Sequence, residues 1–458
     1  EEALSSLEQA LLLDPDDANV YRSMGSTLED LNRYEEALHA FEQAIRLDPD
    51  NANAYHNIGI TLYDLRRYEE AIVAYEQTIR LDANDAIIYY NMGLALYDLM
   101  RYEEALRAFE QAILLNPDEV EVHYYKGHAL NRLRHHEEAL LVFEQVILLD
   151  PNDAFAYRCK GLTLKGLKRY EEALNTFEQA LLLDPDNAFA YCGKGNVLED
   201  LKRYEEALNA FEQAILLDPN DAVVHYSKGH TLNRLRRYEE ALSAYEQALL
   251  LDPNNANAYR NMGIALYELK HYEKALLAYK QAILLDPNDA FAYRCKGNTL
   301  GKIERYEEAL DAFEQAILLA PNIAFAYRRK GDALNKLERY KEALSAYEQA
   351  IRLDPNHSSV YRYKGNVLYE LMRYEEAILA YEQAILLDPD DAIAYYNMGH
   401  ALYKIKHYEK ALHAYEQAIP LDPDDAFTYY NIGDTLKQLG RAAEAQQAYE
   451  KAQQLSNE

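Results

Sequence analysis

Residues 86–119 read AIIYYNMGLALYDLMRYEEALRAFEQAILLNPDE, and this stretch decides the fold. Tyr89, Gly93, Leu96 and Leu99 recur at helical spacing and predict a first helix over about fourteen residues. A short break at Met100-Arg101 follows. A second helix begins near Tyr102, with Glu103 and Glu104 in its first turn, where carboxylates suit the positive end of the helix dipole. Its apolar stripe is Ala105, Phe109, Ala112 and Ile113, and it stops at Asn116-Pro117 because proline cannot continue a helix. Gly93 and Ala105 carry almost no side chain, which lets the two helices approach closely.

Working outward, the same pattern returns every 34 residues. Twelve of the thirteen prolines lie on one grid from Pro15 to Pro423, whose only internal gap is filled by Ala83. Thirteen of the seventeen glycines form a second grid from Gly25 to Gly433. A fixed period in this range signals stacked repeats rather than separate domains. Thirteen units span 18–458, preceded by a half unit at 1–17 that can supply only a second helix. An Asp or Asn before most unit starts is placed to cap the next first helix. Pro420, in the last turn of a second helix, predicts fraying there, and Ala83 predicts a less sharply defined joint. The polar segment 442–458 suits a terminal cap.

Position 20 of every unit is alanine, position 24 is always Phe or Tyr, position 8 is glycine and position 32 is mostly proline. In this the chain resembles the tetratricopeptide repeat over essentially its whole length. The family's usual Trp at position 4 is Tyr here, apart from His123 and His225. The resemblance implies an all-α, right-handed superhelix, an α-solenoid of stacked antiparallel helix pairs forming one continuous array. It also implies a concave groove lined by positions 2, 5, 6, 9, 12 and 13 of the first helices, and a scaffold for protein or peptide partners.

Charge bounds the partners further. The net charge is −30, which disfavours nucleic acid and anionic membranes. No apolar run is long enough to span a bilayer and no signal-like segment opens the chain, so a cytoplasmic location is expected. Three cysteines, Cys159, Cys192 and Cys295, suit a reducing compartment. Yet across 222–425 the groove positions hold nine cations (Arg234, Arg260, Arg294, Lys302, Arg328, Arg329, Lys336, Arg362, Lys404) against Glu268, Asp332 and Glu370. In the first three units the same positions hold Arg22 against Glu29, Asp30, Asp64 and Asp98. A groove acidic early and basic late follows. Arg260, Arg294, Arg328 and Arg362 form a ladder at position 5, and guanidinium forks suit carboxylates. With Arg329, Asn298, Asn366 and Asn397, and with groove tyrosines such as Tyr267, Tyr369 and Tyr403, they are the candidate site for an acidic segment. The competing reading is that these arginines pair with carboxylates of neighbouring units.

Some family members clamp the terminal carboxylate of a chaperone. Arg362, Asn366 and Asn397 match the first elements of that pattern, but Phe427 and Asn431 stand where two bases belong. Cys159, Cys192 and His128 could be brought together, but no metal-ligand spacing supports a site, and no cofactor is implied. The paired glutamates recur in nearly every unit, as a solvated helix start would, and no phosphate loop or nucleophile elbow is present. No enzyme is expected. Glu1 falls inside a unit, which is what a fragment or processed chain would show. Two roles therefore stay open: an adaptor, or the recognition arm of a larger bacterial signalling or defence protein. The open end at 1–17 could also stack on a second molecule.

Overall fold

The computed structural model describes residues 1–457. Twenty-seven helices and no strand are formed by these residues. In the 86–119 unit the first helix is Ala86–Asp98 and the second Tyr102–Leu115, and the same bounds recur at 34-residue intervals. The chain divides into two compact halves, Glu1–Thr231 and a second beginning at Leu232. Within each half every helix packs on the next, and successive first helices also touch one another, so they lie side by side along one wall.

The core is a ladder of small residues against rings. A Cβ built at Gly59 would lie 2.4 Å from Tyr75 Cε1, and one at Gly25 2.5 Å from Phe41. Ala37, Ala71 and Ala105 are fully buried beside these rings. Neither helix can bury its apolar stripe alone, so a ring from the second helix seals against the bare backbone of the first.

Local chemistry sets the joints. Asp17 Oδ1 accepts from the N–H groups of Asn19 and Val20 at 2.8 and 3.3 Å, and Asn51, Asp85 and Asp391 cap their helices likewise. Second helices open with a bidentate latch in which Arg101 Nε and Nη2 donate to both oxygens of Glu104 at 2.7 and 2.6 Å. Where an arginine opens the helix, its guanidinium hydrogen bonds hold the latched glutamate below its usual pKa, as at Glu70, Glu104 and Glu172.

The short break contains a conformation that composition concealed. Twelve non-glycine residues, from Asn32 to Lys406, take φ of +57 to +64° at position 15, and Gly440 alone supplies a glycine there. Side chains disfavour this region by about 1–2 kcal/mol. Met100→Gly removes that strain from an exposed residue at the expense of unfolded-state entropy, and a net gain of about 0.5–1 kcal/mol is expected in urea denaturation.

Two expectations concern the joints. Pro420 does shorten its helix, which ends at Ala418 after 11 residues rather than the usual 14. Ala83 marks its joint as well: residues 82–85 form no turn, whereas each proline joint turns at the proline and the residue after it. The helix before it still ends at Leu81, with Asp82 extended at φ −141° and its carboxylate accepting from Asn84 N at 3.0 Å. His123 and His225, which replace the tyrosine of position 4, hydrogen bond the carbonyls of Pro117 and Pro219 at 2.8 and 3.0 Å.

Candidate functional site

The arginine ladder is not four equal groups. Arg260 Nη1 donates to Asp289 Oδ2 at 2.5 Å and Arg362 Nε to Asp391 Oδ2 at 2.8 Å, with both carboxylates nearly buried. Each partner is the N-cap of the next first helix, 29 residues on. At the corresponding caps stand Ile323 and His357 in place of a carboxylate, and neither Arg294 nor Arg328 has an ion pair among the described residues. They stack instead: Arg294 lies 4.5 Å from the Phe291 ring and 5.3 Å from Phe325, and Arg328 lies 5.0 Å from Phe325. The residue at the downstream cap therefore decides which guanidinium is held by a carboxylate and which is left stacked on rings.

A cavity of about 410 Å³ opens in the second half. Tyr267, Asn298, Arg329 and Asn366 of the candidate residues line it, together with Gly301, Lys302, Asp332 and Lys336. Arg260, Arg294, Arg328 and Arg362 do not. Three cations face one carboxylate, and Asp332 is already engaged by Tyr347 Oη at 2.9 Å and Arg329 Nη1 at 3.4 Å. Burial raises the pKa of Asp332, while those donors and Arg328 oppose the rise. A second cavity of about 530 Å³ shares Asn335, Lys336 and Asn366 and adds Tyr369 and Asn397. Tyr403 lines neither and packs on Tyr408 at 5.3 Å.

The chaperone-clamp residues are turned on one another. Asn366 Oδ1 accepts from both Asn397 Nδ2 and Tyr381 Oη at 2.9 Å, while Arg362 holds Asp391. Nor do the thiols form a reactive cluster. Cys159 Sγ lies 3.8 Å from His128 Nε2, but burial pushes its pKa up to about 12 and that of His128 down. Burial likewise raises Cys192 and Cys295 to about 11, and no group of three metal ligands occurs among the described residues.

Asn298 carries unmet capacity. At its position in other units Asp332, Asn366 and Asp434 accept the hydroxyls of Tyr347, Tyr381 and Tyr449 from position 24. The ring beneath Asn298 is Phe313, without a hydroxyl, and Asn298 Oδ1 is buried with no partner. Phe313→Tyr supplies the missing donor and is expected to raise stability by about 1–2 kcal/mol in urea denaturation.

Lys302, Asp332 and Lys336 entered the sequence reading only as charges, and Gly301 not at all. A signal for it existed: Gly166, Gly193, Gly301 and Gly440 are the four glycines off the 34-residue grid. Gly440 adopts φ +75°, Gly193 abuts Phe177 and Gly166 abuts His136, whereas a Cβ at Gly301 would meet nothing within 4 Å.

No curated protein matches the chain. Among solved structures, the crystal structure of YrrB, described as a TPR protein with an unusual peptide-binding site, is 28% identical. It covers 40% of this chain and 95% of its own, with a TM-score of 0.38. MamA is 23% identical over 35% of this chain and 94% of its own, with a TM-score of 0.35. The Cut9-Hcn1 hetero-tetramer is 15% identical over 96% and 94%, with a TM-score of 0.42. No helix among the described residues is long and apolar enough to cross a membrane. Matches described as TPR repeat fall at residues 25–66, 61–100, 166–202, 234–270 and 365–406. Matches described as tetratricopeptide repeat fall at 86–119, 120–153, 188–221, 210–243, 256–289, 290–323, 324–357, 346–378, 392–425 and 414–447. These matches tile residues 25–153 and 166–447, and the chain belongs to the tetratricopeptide repeat family, a family of protein-interaction scaffolds.

Proposed function

We propose that the chain is a non-catalytic scaffold whose second half holds an acidic protein segment along the wall of first helices. The observation that carries this reading is a cavity with Lys302, Arg329 and Lys336 against Asp332 alone, in a protein of net charge −30. Three cations around one carboxylate leave positive charge unmatched at the cavity, and carboxylates of a partner would complete them. Arg294 and Arg328 extend the positive wall, whereas Arg260 and Arg362 belong to the packing of neighbouring units. Raised thiol pKa values and latched glutamates favour binding over catalysis.

The test is binding of fluorescein-labelled acidic pentapeptides to the full chain, read by anisotropy across a salt titration. The triple variant Lys302→Glu, Arg329→Glu, Lys336→Glu should weaken binding at least tenfold, as should reversing Arg294 and Arg328 together. Binding by the folded triple variant equal to that of the parent would remove the reading.

A second reading rests on Leu13. It is 89% exposed, whereas the corresponding leucines from Leu47 to Leu421 are at most 44% exposed. Self-association through this face predicts a larger mass at high concentration, lost in Leu12→Glu, Leu13→Glu. A monomer at every concentration excludes it.

A further inference from the structure

Five first helices carry tyrosine at position 12, and each tyrosine makes the same contact. Tyr63, Tyr97, Tyr267, Tyr369 and Tyr403 set their rings 5.2–5.5 Å from Tyr68, Tyr102, Tyr272, Tyr374 and Tyr408, at 58–68°. In the first of these units the hydroxyl also reaches position 13 of the following unit, where Tyr63 Oη donates to Asp98 at 2.6 Å. Other units keep a different side chain at position 12, such as Asn131, Lys165, Glu199 and Asn335. In the 290–323 unit the position is Gly301, its Cβ direction is open, and Tyr306 lines the cavity with no ring contact among the described residues.

We propose that the place left by Gly301 is a socket for a tyrosine side chain of the acidic segment, which rests on the reading of the second half given above. A ring entering there finds the edge-to-face surface of Tyr306 that an intramolecular tyrosine uses elsewhere. Its phenol oxygen falls where position 13 of the next unit presents Lys336, and the ammonium donates to it. Asn298 Oδ1, the buried acceptor left by Phe313, is available to a peptide N–H at the same cavity once its amide turns inward. Lys302 and Arg329 then face the carboxylates on either side of the tyrosine. Shape, unmet hydrogen bonding and charge agree on one occupant, and the cavity volume lies within the roughly 300–1,000 Å³ of ordinary ligand pockets.

The experiment uses pentapeptides of Asp and Glu whose central residue is scanned through the natural side chains, titrated against the full chain. Tyrosine at the centre should bind about tenfold more tightly than alanine and severalfold more tightly than phenylalanine. Gly301→Tyr fills the socket with the protein's own ring. It should fold normally by circular dichroism and bind all the peptides at the alanine level. Lys336→Met should erase the difference between tyrosine and phenylalanine while keeping the preference for a ring. Acidic peptides that bind with no preference at the centre, or an aromatic preference that survives Gly301→Tyr, would overturn the socket and leave the acidic-segment reading intact. No binding by any peptide to folded protein would overturn both.

Discussion

Phe177→Ala is expected to lower the stability of the first half by about 3–5 kcal/mol, the range for emptying a buried aromatic site. The Phe177 side chain is fully buried, and bare backbone closes on it from two sides. A Cβ at Gly161 would lie 2.9 Å from the ring, and one at Gly193, in the following unit, 2.5 Å. Leu164, Leu174 and Ala190 complete its surroundings. A helix–helix seam this tight cannot collapse into the space, because the backbones already approach as closely as a ring permits. Repeats contact only their neighbours, so the loss should concentrate in amides of roughly residues 154–200 in hydrogen exchange. A change under about 1 kcal/mol, or one spread evenly over the half, would contradict this packing.

The second large effect is a contrast in sign. Alanine is preferred to glycine inside a helix by about 1 kcal/mol. Gly301→Ala should show that gain in denaturant unfolding, since its added methyl meets nothing within 4 Å. Gly59→Ala should instead lose about 1–3 kcal/mol, because the methyl would sit 2.4 Å from Tyr75 Cε1, and that ring is 1% exposed. The same chemical change on the same kind of helix therefore reports whether a ring lies across from it. Equal shifts at the two sites would mean that propensity, not packing, governs both.

Much of the fold could be read from particular residues. Gly93 against Phe109 follows from a small and a large residue recurring in step with two helices, and the structure sets the Cβ direction of Gly93 2.4 Å from that ring. Pro420 acted as its chemistry requires, and the joint at Ala83 lacks the turn that the proline joints form, as the missing imino acid implies. The left-handed residues at position 15 escaped notice because Met100, Lys168 and Glu304 carry no mark of positive φ. Their conformation is imposed by the two helices closing on each other, which outweighs the local cost.

The candidate site was less legible. Arg260, Arg294, Arg328 and Arg362 look identical along the chain, yet Asp289 and Asp391 engage two of them while Ile323 and His357 leave the others stacked on phenylalanines. The 34-residue recurrence of ring, glycine and cap was enough to specify paired helices, because each acts on partners a few residues away or in the adjoining helix, and repetition averages out exceptions. Which charges stay available, and where a missing side chain becomes a space, emerged only with the chain folded. Both depend on what the next unit brings within a few ångströms of a given atom, and no residue type carries that information alone.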